Sequence, residues 1–541
     1  MPSPQQGIDL ALIFISIYAA LIAALHYSEL TETYPATAMK SWFSSLWSMV
    51  AVAAAQKVDL GWYPPSNTSI NNLTTALHGE GIYGFIFNTS ETSDAQYGTY
   101  NWCNMPHVRK TDFYYVALTQ VAEPSQIQRH HKRTPYASNA FPVESYRWDC
   151  DDQGLYYYGS PFGSDSKQPA QVFWKGYISP TNPFTPSGWI GTCQFPQITS
   201  AGLDDSWIHG RDLYEVYHDL LGFLPGKDED WRASVTYRVT QNVITSQVAG
   251  MLTNGMWGTT EAVPLVIQGA GVDSLEPQYS CGVGSNLFNT IRSSSNAAWG
   301  HHLEAATDLF SKLDNISGVP PSDSGFHASF DHYFDNLSAR QCHAKPLPCK
   351  LENGANSSTC VDQALANTVY RMGQWEYSQI YRDAHASLAA SATTYGVWIA
   401  ELSKHLRDVM AGESGPIYFH NIAHDGSVSR LLSLLQIDVM VWPGMGSEVV
   451  FELYEGKENA TVARDLSRKP NVGAGKMQSR RTYGGKFFVR VLFSGKPLRS
   501  SNPSLGLLDM VPAETLLVYF DGLVGTDASL VVGKCNGTLP V

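Results

Sequence analysis

Three separated segments of this 541-residue chain share one order: an extended apolar run, a polar turn and then a helix. The predicted strands cover 114–121, 233–238 and 415–423, and the clearest helices after them cover 240–252 and 427–435. A Pro-Ser pair at 124–125 interrupts the first segment before its turn. Strands that alternate with helices in this way predict an α/β sheet.

Polar and charged side chains follow each of these strands. Arg129 and His130 end the first segment, Arg238 ends the second strand, and His424 and Asp425 follow the third. In open α/β sheets, ligands bind beyond the carboxyl ends of the strands, where helix amino termini also favour anions. The sequence therefore predicts that these residues meet in one anion site.

The residue types at these positions favour phosphoryl transfer without a metal. Residues 129–135 read Arg-His-His-Lys-Arg-Thr-Pro, and the distant pair is His-Asp. A neutral imidazole can attack phosphorus to form a phosphohistidine, and nearby cations disfavour its protonation. Arginine forks donate two hydrogen bonds to one phosphoryl group, and a protonated aspartic acid can supply a proton to the leaving oxygen.

Arg-His-x-x-Arg-x-Pro with a distant His-Asp pair resembles the histidine acid phosphatase branch of the histidine phosphatase superfamily. The similarity covers about residues 57–541, and the segments 210–213, 273–277 and 508–512 look like those of the secreted fungal members. The resemblance implies an α/β fold. It would have a three-layer α/β sandwich core of the phosphoglycerate mutase-like type and a mostly α-helical cap insertion.

The resemblance also implies a role for each motif residue. His130 would be the nucleophile and Asp425 the general acid, and no metal or cofactor would be required. The phosphate of a small phosphorylated substrate would be bound by Arg129, Arg133, Arg238 and His424, and the resemblance allows substrates of the phytase type. One departure concerns His131, since the family usually has glycine after the nucleophile. A side chain there could narrow the pocket, add a donor or alter activity.

The implied domain is discontinuous. The core would comprise about 75–145, 230–275 and 395–541, and the cap about 146–229 and 276–394. Within these limits the spacing predicts an amphipathic helix at 206–223, a helix at 397–410, and strands at 486–494 and 515–520.

Cysteines and glycosylation sequons indicate an oxidising compartment. The eight cysteines have irregular spacings without a Cys-x-x-Cys pair, which favours disulfides over a zinc or redox site, with at least one local bridge among Cys342, Cys349 and Cys360. Eight Asn-x-Ser/Thr sequons predict N-glycans, at Asn67, Asn72, Asn88, Asn315, Asn336, Asn356, Asn459 and Asn536. A net charge of −13 argues against nucleic-acid binding. We expect a secreted or cell-wall protein.

Residues 1–55 are predicted to be an N-terminal extension with a targeting segment. The run 42–55 follows Met39-Lys40 and ends in Ala-Ala-Ala-Gln, which is the layout of a signal peptide that starts at Met39. The alternatives are a signal anchor within 8–25, which would tether the protein to a membrane, and two buried helices.

Three further readings of the sequence remain to be tested. His420 and His424 have the spacing of a zinc helix, but Asn421 replaces the expected Glu and the segment is predicted as a strand, which disfavours a metal. A catalytically weak or inactive relative could bind phosphate or a polyanion through the same arginines. A mutase would move a phosphoryl group within its substrate.

Overall fold

Eight strands form one mixed sheet at the centre of the part of the chain that the computed structural model describes. The described residues are 58–87, 100–113, 119–143, 146–152, 155–157, 172–174, 176–177, 179–185, 188–413, 415–456 and 486–541. The predicted N-terminal extension and targeting segment, 1–55, lie outside these residues and keep the status of predictions.

Twelve strands are described. They are β1 (Thr119–Arg129), β2 (Leu155–Tyr157), β3 (Val172–Trp174), β4 (Val235–Val239), β5 (Leu265–Val266), β6 (Cys349–Glu352), β7 (Ala355–Cys360), β8 (Tyr418–Ala423), β9 (Glu448–Gly456), β10 (Phe487–Phe493), β11 (Lys496–Pro497) and β12 (Val511–Pro512). The central sheet has the order β11-β10-β9-β1-β8-β4-β5, with β12 beside β10, and two separate hairpins pair β2 with β3 and β6 with β7.

Strands β1, β8, β4 and β5 are parallel, whereas β9 and β10 add an antiparallel half to the sheet. The parallel register pairs Arg129 with Ala423 and Val239 with Ile422. The last residues of the three central strands therefore lie at one level. The segments that follow them emerge side by side at the carboxyl edge, which is where the sequence places its anion site.

The described helices surround this sheet and build a separate helical region. They are α1 (Leu73–His78), α2 (Ser200–Tyr214), α3 (Val243–Trp257), α4 (Gly282–Ile291), α5 (Ala297–Ala305), α6 (Thr307–Ser317), α7 (Asp331–Cys342), α8 (Gln363–Ser378), α9 (Ser387–Met410), α10 (Asp425–Leu434), α11 (Ala513–Val524) and α12 (Val531–Asn536). A π-helical turn, Glu215–Leu220, continues α2.

Alternation along β9 shows that the sheet is covered on both faces. Val449 and Phe451 pack into a core formed with α9, α10 and α11, whereas Val450 and Tyr454 pack on the opposite side with α2 and α3. Successive side chains of a strand point to opposite faces, so helices must lie on both. The predicted three-layer α/β sandwich is confirmed.

A second large apolar core lies outside the sandwich and consists mainly of helices. It joins α4, α5, α6, α7 and α8 through buried aromatic side chains such as Trp299, Phe310, Phe334 and Trp375. This region corresponds to the predicted α-helical cap. Helix α2 does not join this helical region. It falls within 146–229, which the sequence analysis assigns to the cap, but it packs closely against α3 on the sandwich.

Two sequence predictions of secondary structure are wrong. Strand β1 does not stop at 121 but continues through Pro124 to Arg129. Pairing of β1 with β8 begins only at Ser125, so at Pro124 the strand pairs with β9 alone. Proline is tolerated there because the edge of β1 that faces β8 needs no backbone N–H donor at this residue. The predicted strand 515–520 is part of α11, whose buried residues recur at helical spacing while Val518 is exposed.

All eight cysteines form disulfides: Cys103–Cys342, Cys150–Cys193, Cys281–Cys535 and Cys349–Cys360. The last pair confirms the predicted local bridge. Of the sequons within the described residues, Asn336 is buried and donates to the Asn139 carbonyl, which leaves no room for a glycan. The other described sequon asparagines are exposed: Asn67, Asn72, Asn315, Asn356 and Asn536. The residues that the structure describes include no helix long and apolar enough to span a membrane.

Candidate active site

Five of the six residues predicted from the sequence meet in one cavity of about 400 Å³ at the carboxyl edge of the parallel strands. They are Arg129, His130, Arg133, His424 and Asp425. The backbone holds the two motifs together, because the His130 N–H donates to the Ala423 carbonyl oxygen at 3.1 Å. The end of β1 is thus fixed beside the turn that begins α10.

His130 has the protonation state that a nucleophile needs. It is 2% exposed, and its Nδ1 lies 2.9 Å from the backbone carbonyl oxygen of His131. A carbonyl oxygen can only accept, so Nδ1 carries the proton and Nε2 is the nitrogen with a free lone pair. Burial, followed by the charges of Arg133 and Arg129, holds the pKa of His130 well below its usual value.

Arg129 is fixed in the wall of the cavity by three contacts. One Nη donates to the Pro443 carbonyl oxygen at 2.5 Å, the other lies 3.0 Å from Asp425 Oδ2, and the guanidinium sits 4.7 Å from the centre of the Trp102 ring. Its buried Nε has no hydrogen-bond partner among the described residues. Each Nη carries two hydrogens, so each keeps one N–H beyond these contacts.

Arg133 lies on the other side of His130 in sequence and is held by the cap. Its Nη1 donates to Asp335 Oδ1 at 3.0 Å, and the guanidinium lies over the Tyr136 ring at 4.3 Å. Asp335 belongs to α7 and also accepts from Asn139. Like Arg129, Arg133 has a buried Nε that no described residue contacts by a hydrogen bond. The donors left for an anion are Nη hydrogens, because the described hydrogen bonds of Arg133 use Nη1 and leave Nη2. Both arginines are therefore prepositioned for an anion in the cavity.

The surroundings of Asp425 favour its ionised form. Its Oδ2 accepts from Arg129 and, at 2.9 Å, from Trp442 Nε1. Burial alone would raise the pKa of Asp425, but the charge of Arg129, the Trp442 hydrogen bond and the charge of Arg133 outweigh it and lower the pKa. The carboxylate begins α10, where the helix dipole also favours its charged form.

His424 is the residue immediately before α10 and faces His130, with ring centres 5.6 Å apart. Its Nε2 lies 3.0 Å from Thr240 Oγ1 and 3.6 Å from Glu276 Oε2. Burial lowers the pKa of His424 to about 4. Thr240 directly follows β4, so the end of the third parallel strand reaches the site through a hydroxyl group.

Arg238 is the predicted site residue that the structure does not bring into the cavity. Its guanidinium binds Glu401 Oε2 at 2.7 Å, Ser274 Oγ at 2.8 Å and Asp273 Oδ1 at 3.2 Å. It is absent from the residues that line the cavity. The strand position was predicted correctly, but two neighbouring carboxylates hold the side chain in an ion-pair network beside the site.

His131, which replaces the usual glycine, points away from the cavity. Its ring is fully buried, and its Nε2 lies 3.2 Å from Nδ1 of His209, whose Nε2 lies 3.0 Å from Glu448 Oε2. His107 stacks on His209 with ring centres 4.1 Å apart. The side chain therefore does not narrow the cavity. Gly446 provides the space, because a Cβ there would lie 2.5 Å from His131 Cε1.

Several lining residues were missed by the sequence analysis. Arg430 lies on α10 and contributes a third arginine; Asp335, Asp331 and Tyr377 come from the cap, and Trp442 from the loop after α10. Arg430 lies in the first turn of the predicted helix 427–435, shortly after the His-Asp pair, and this closeness in sequence was a usable signal. The cap residues carry no such signal, since their arrival depends on tertiary packing. Within the described part of the chain, no group of three or more His, Cys, Asp or Glu residues could hold a metal ion.

No protein-family model and no curated protein matches this sequence. Solved structures do match over most of the chain. The phytase of Klebsiella sp. ASR1 is 13% identical with a TM-score of 0.44, covering 78% of this chain and all of that one. The phytase of Citrobacter braakii is 11% identical with a TM-score of 0.46, covering 77% and 99%.

A third match is a Bifidobacterium longum multiple inositol polyphosphate phosphatase in complex with phosphate. It is 11% identical with a TM-score of 0.37, and the alignment covers 74% of this chain and 92% of that one. The chain is thus similar to phytases and to a multiple inositol polyphosphate phosphatase. Likeness at this level carries no information on substrate or mechanism, which must come from the site itself.

Proposed function

We propose that this protein is a histidine acid phosphatase, which hydrolyses phosphomonoesters through a phosphohistidine at His130. The observation that carries the proposal is the state of His130. Its imidazole is neutral, its proton is held on Nδ1 by a backbone carbonyl, and the two flanking arginines line the same cavity with Nη hydrogens left for a phosphoryl group. That combination suits in-line attack by Nε2 on phosphorus.

In the first step Nε2 of His130 forms a bond to phosphorus while the bond from phosphorus to the ester oxygen breaks. Arg129, Arg133 and His424 would stabilise the charge on the non-bridging oxygens. Asp425 would give its proton to the leaving oxygen. In the second step Asp425 would take a proton from water, which attacks the phosphohistidine and releases inorganic phosphate.

The lowered pKa of Asp425 fits this sequence of steps only if bound substrate raises it. A bound phosphoryl dianion would compete for Arg129 and place negative charge close to the carboxylate. Both effects raise the pKa of a carboxyl group. We therefore infer that Asp425 takes up its proton when substrate binds.

The direct test is to trap the intermediate. Purified protein mixed with a ³²P-labelled aryl phosphate in mildly acidic buffer and quenched within milliseconds should carry label that is stable in alkali and lost in acid, as a phosphohistidine is. His130→Ala should carry none. Normal turnover by His130→Ala, or label on another residue, would contradict the assignment.

A phosphate-binding protein without turnover is the second candidate. The lowered pKa of Asp425 favours it, because an aspartate that stayed ionised in the complex could not protonate a leaving group. Inorganic phosphate would then raise the melting temperature, while no phosphate is released from an aryl phosphate with its good leaving group. Release of phosphate at many turnovers per molecule would exclude this candidate.

We also propose that the protein is secreted and glycosylated. Four disulfides fit an oxidising compartment, and five sequon asparagines are exposed. Protein purified from its natural source should lose mass on treatment with an N-glycosidase. A mature N-terminus near residue 56 would support the signal peptide, whereas an intact 8–25 segment would support the anchor.

A further inference from the structure

The described lining of the cavity contains three arginines and four carboxyl side chains. The cations are Arg129, Arg133 and Arg430, and the carboxylates are Glu276, Asp331, Asp335 and Asp425. The two histidines of the lining are neutral because burial lowers the pKa of each. A phosphoryl dianion therefore meets a pocket with little positive charge in excess.

Two of the three arginines already have carboxylate partners. Arg129 lies 3.0 Å from Asp425, and Arg133 lies 3.0 Å from Asp335. These pairs can hold the one phosphoryl group that reacts, because each guanidinium keeps Nη hydrogens beyond its carboxylate contact. They leave little attraction for a second phosphoryl group.

Arg430 is the cation that remains for the rest of the substrate. Its Nη1 donates to the Gly426 carbonyl oxygen at 2.8 Å and its Nε to Thr394 Oγ1 at 3.1 Å, and the guanidinium lies over the Phe288 ring. No described carboxylate forms an ion pair with it. One arginine could donate hydrogen bonds to one further anionic group, but not to several.

Acidic and aromatic side chains line the same cavity as these arginines. Asp331 is exposed, and Glu276 keeps a third of its side chain exposed. Tyr377 stacks on Trp442 with ring centres 4.0 Å apart, which offers a flat apolar face to an alcohol group. Additional anionic groups on a substrate would be repelled here, whereas neutral or cationic groups would not.

We propose that the cavity selects esters with a single phosphoryl group and a neutral or cationic alcohol portion, and discriminates against further anionic groups. This inference rests on the proposed phosphatase function. It narrows that function away from the inositol polyphosphates, although phytases are among the similar structures. The discriminating residues are Glu276 and Asp331, both of which line the cavity.

The test compares two substrates that differ by one carboxylate, glycerol 3-phosphate and 3-phosphoglycerate, at about pH 8. This pH lies above the pKa of Asp331, which desolvation and the charges of Asp335 and Asp425 raise to about 7. The wild-type protein should prefer glycerol 3-phosphate by about tenfold in kcat/KM, as expected for one added charge near two carboxylates. Asp331→Asn and Glu276→Gln should each reduce that ratio by about threefold. Glu304→Gln, an exposed change on α5, is the matched control and should leave the ratio unchanged.

Inositol hexakisphosphate provides the second arm. Its kcat/KM should lie well below that of glycerol 3-phosphate and rise in the Asp331→Asn, Glu276→Gln double variant. A higher kcat/KM for the hexakisphosphate, or a substrate ratio that neither variant changes, would overturn the inference and leave the phosphatase function intact. Failure to hydrolyse any of these esters would overturn the phosphatase function and the inference together.

Discussion

His130 and His131 are neighbours in sequence, but their side chains belong to two different environments. His130 lines the cavity and has arginines and His424 around it, whereas His131 enters a buried network with His209 and Glu448. In both cases burial is the main cause of a pKa well below the usual value. The two imidazoles are therefore equally neutral and differ in what their free nitrogen can reach.

The difference shows that neutrality alone does not make a nucleophile. His130 holds its proton on Nδ1 against a fixed carbonyl and keeps Nε2 for a reacting atom. His131 uses its Nε2 within the network: if His209 donates from Nε2 to Glu448, its Nδ1 accepts from His131. One imidazole is positioned for chemistry, and the other links β9 to α2 beneath the site.

The same substitution at both positions should separate these roles most clearly. His130→Gln should lower kcat for an aryl phosphate by about 10⁴-fold or more, because the nucleophile is lost. His131→Gln should lower it by less than about tenfold, since Gln can place an N–H near the position of Nε2. Steady-state kinetics on both variants decide the matter, with circular dichroism to confirm folding. Equal losses in two folded variants would contradict the comparison.

Asp425 extends the comparison from the nucleophile to the proton donor. Asp425→Asn should slow alkyl phosphates by about 10²- to 10³-fold, because an amide cannot protonate a poor leaving group. A 4-nitrophenyl ester needs little protonation and should lose much less. The measurement is kcat for a series of esters against the pKa of the leaving alcohol. A parallel loss for all leaving groups would show that Asp425 positions Arg129 instead.

The parts of the site that the sequence could predict are those set by local position. Arg129, His130, His424 and Asp425 follow parallel strands, and the register of β1 with β8 places them at one edge. A strand-end position was not sufficient for Arg238. The position of its side chain depends on Asp273 and Glu401, which come from distant segments. No local pattern in the sequence reveals that these segments are close to Arg238.

The fold shows the same limit. The strand–turn–helix order was enough to predict an α/β sheet, because it depends on periodicity within each segment. The three-layer sandwich was predicted from the family resemblance. The 515–520 segment failed because a short apolar run fits either a strand or a buried helix, and only packing on the sheet decides. The direction of His131 was not predictable either, since the space for its ring is made by Gly446, more than 300 residues away in sequence.

Gly446 allows the space around His131 to be tested separately. Its φ is +70°, and an added Cβ would approach His131 Cε1 and Nδ1 at 2.5 and 2.7 Å. Gly446→Ala should lower the free energy of unfolding by about 2–3 kcal/mol, from overpacking and backbone strain. In a His131→Ala background the same change should cost only about 1 kcal/mol, the strain alone.

Urea denaturation of the four proteins in this cycle gives the coupling. Gly258→Ala is the control, because that glycine has a φ of +68° and no atom within 4 Å of its added Cβ. Its cost should match that of Gly446→Ala in the His131→Ala background. An unchanged cost of Gly446→Ala without the His131 ring would show that the ring does not occupy this space.

The smallest expected effect is a change in how stability depends on pH. Burial lowers the pKa of His209 to about 3 and lowers that of His131, so these groups stabilise the fold above about pH 6.5 and lose that contribution as pH falls. Glu448 acts in the opposite direction. Burial raises its pKa to about 7, so between about pH 7 and 4.5 the folded state holds a proton that the unfolded chain releases, and stability from Glu448 rises as pH falls.

Glu448→Gln should therefore make the loss of stability in acid steeper, by up to about 1.4 kcal/mol per pH unit within that window. The free energy of unfolding from urea titrations at several pH values between 7 and 4.5 measures the slope. Glu304→Gln, exposed on α5, should keep the wild-type slope. A Glu448→Gln slope equal to wild type would mean that Glu448 is ionised in the folded protein, and that the network around His131 is held by charge rather than by neutral hydrogen bonds.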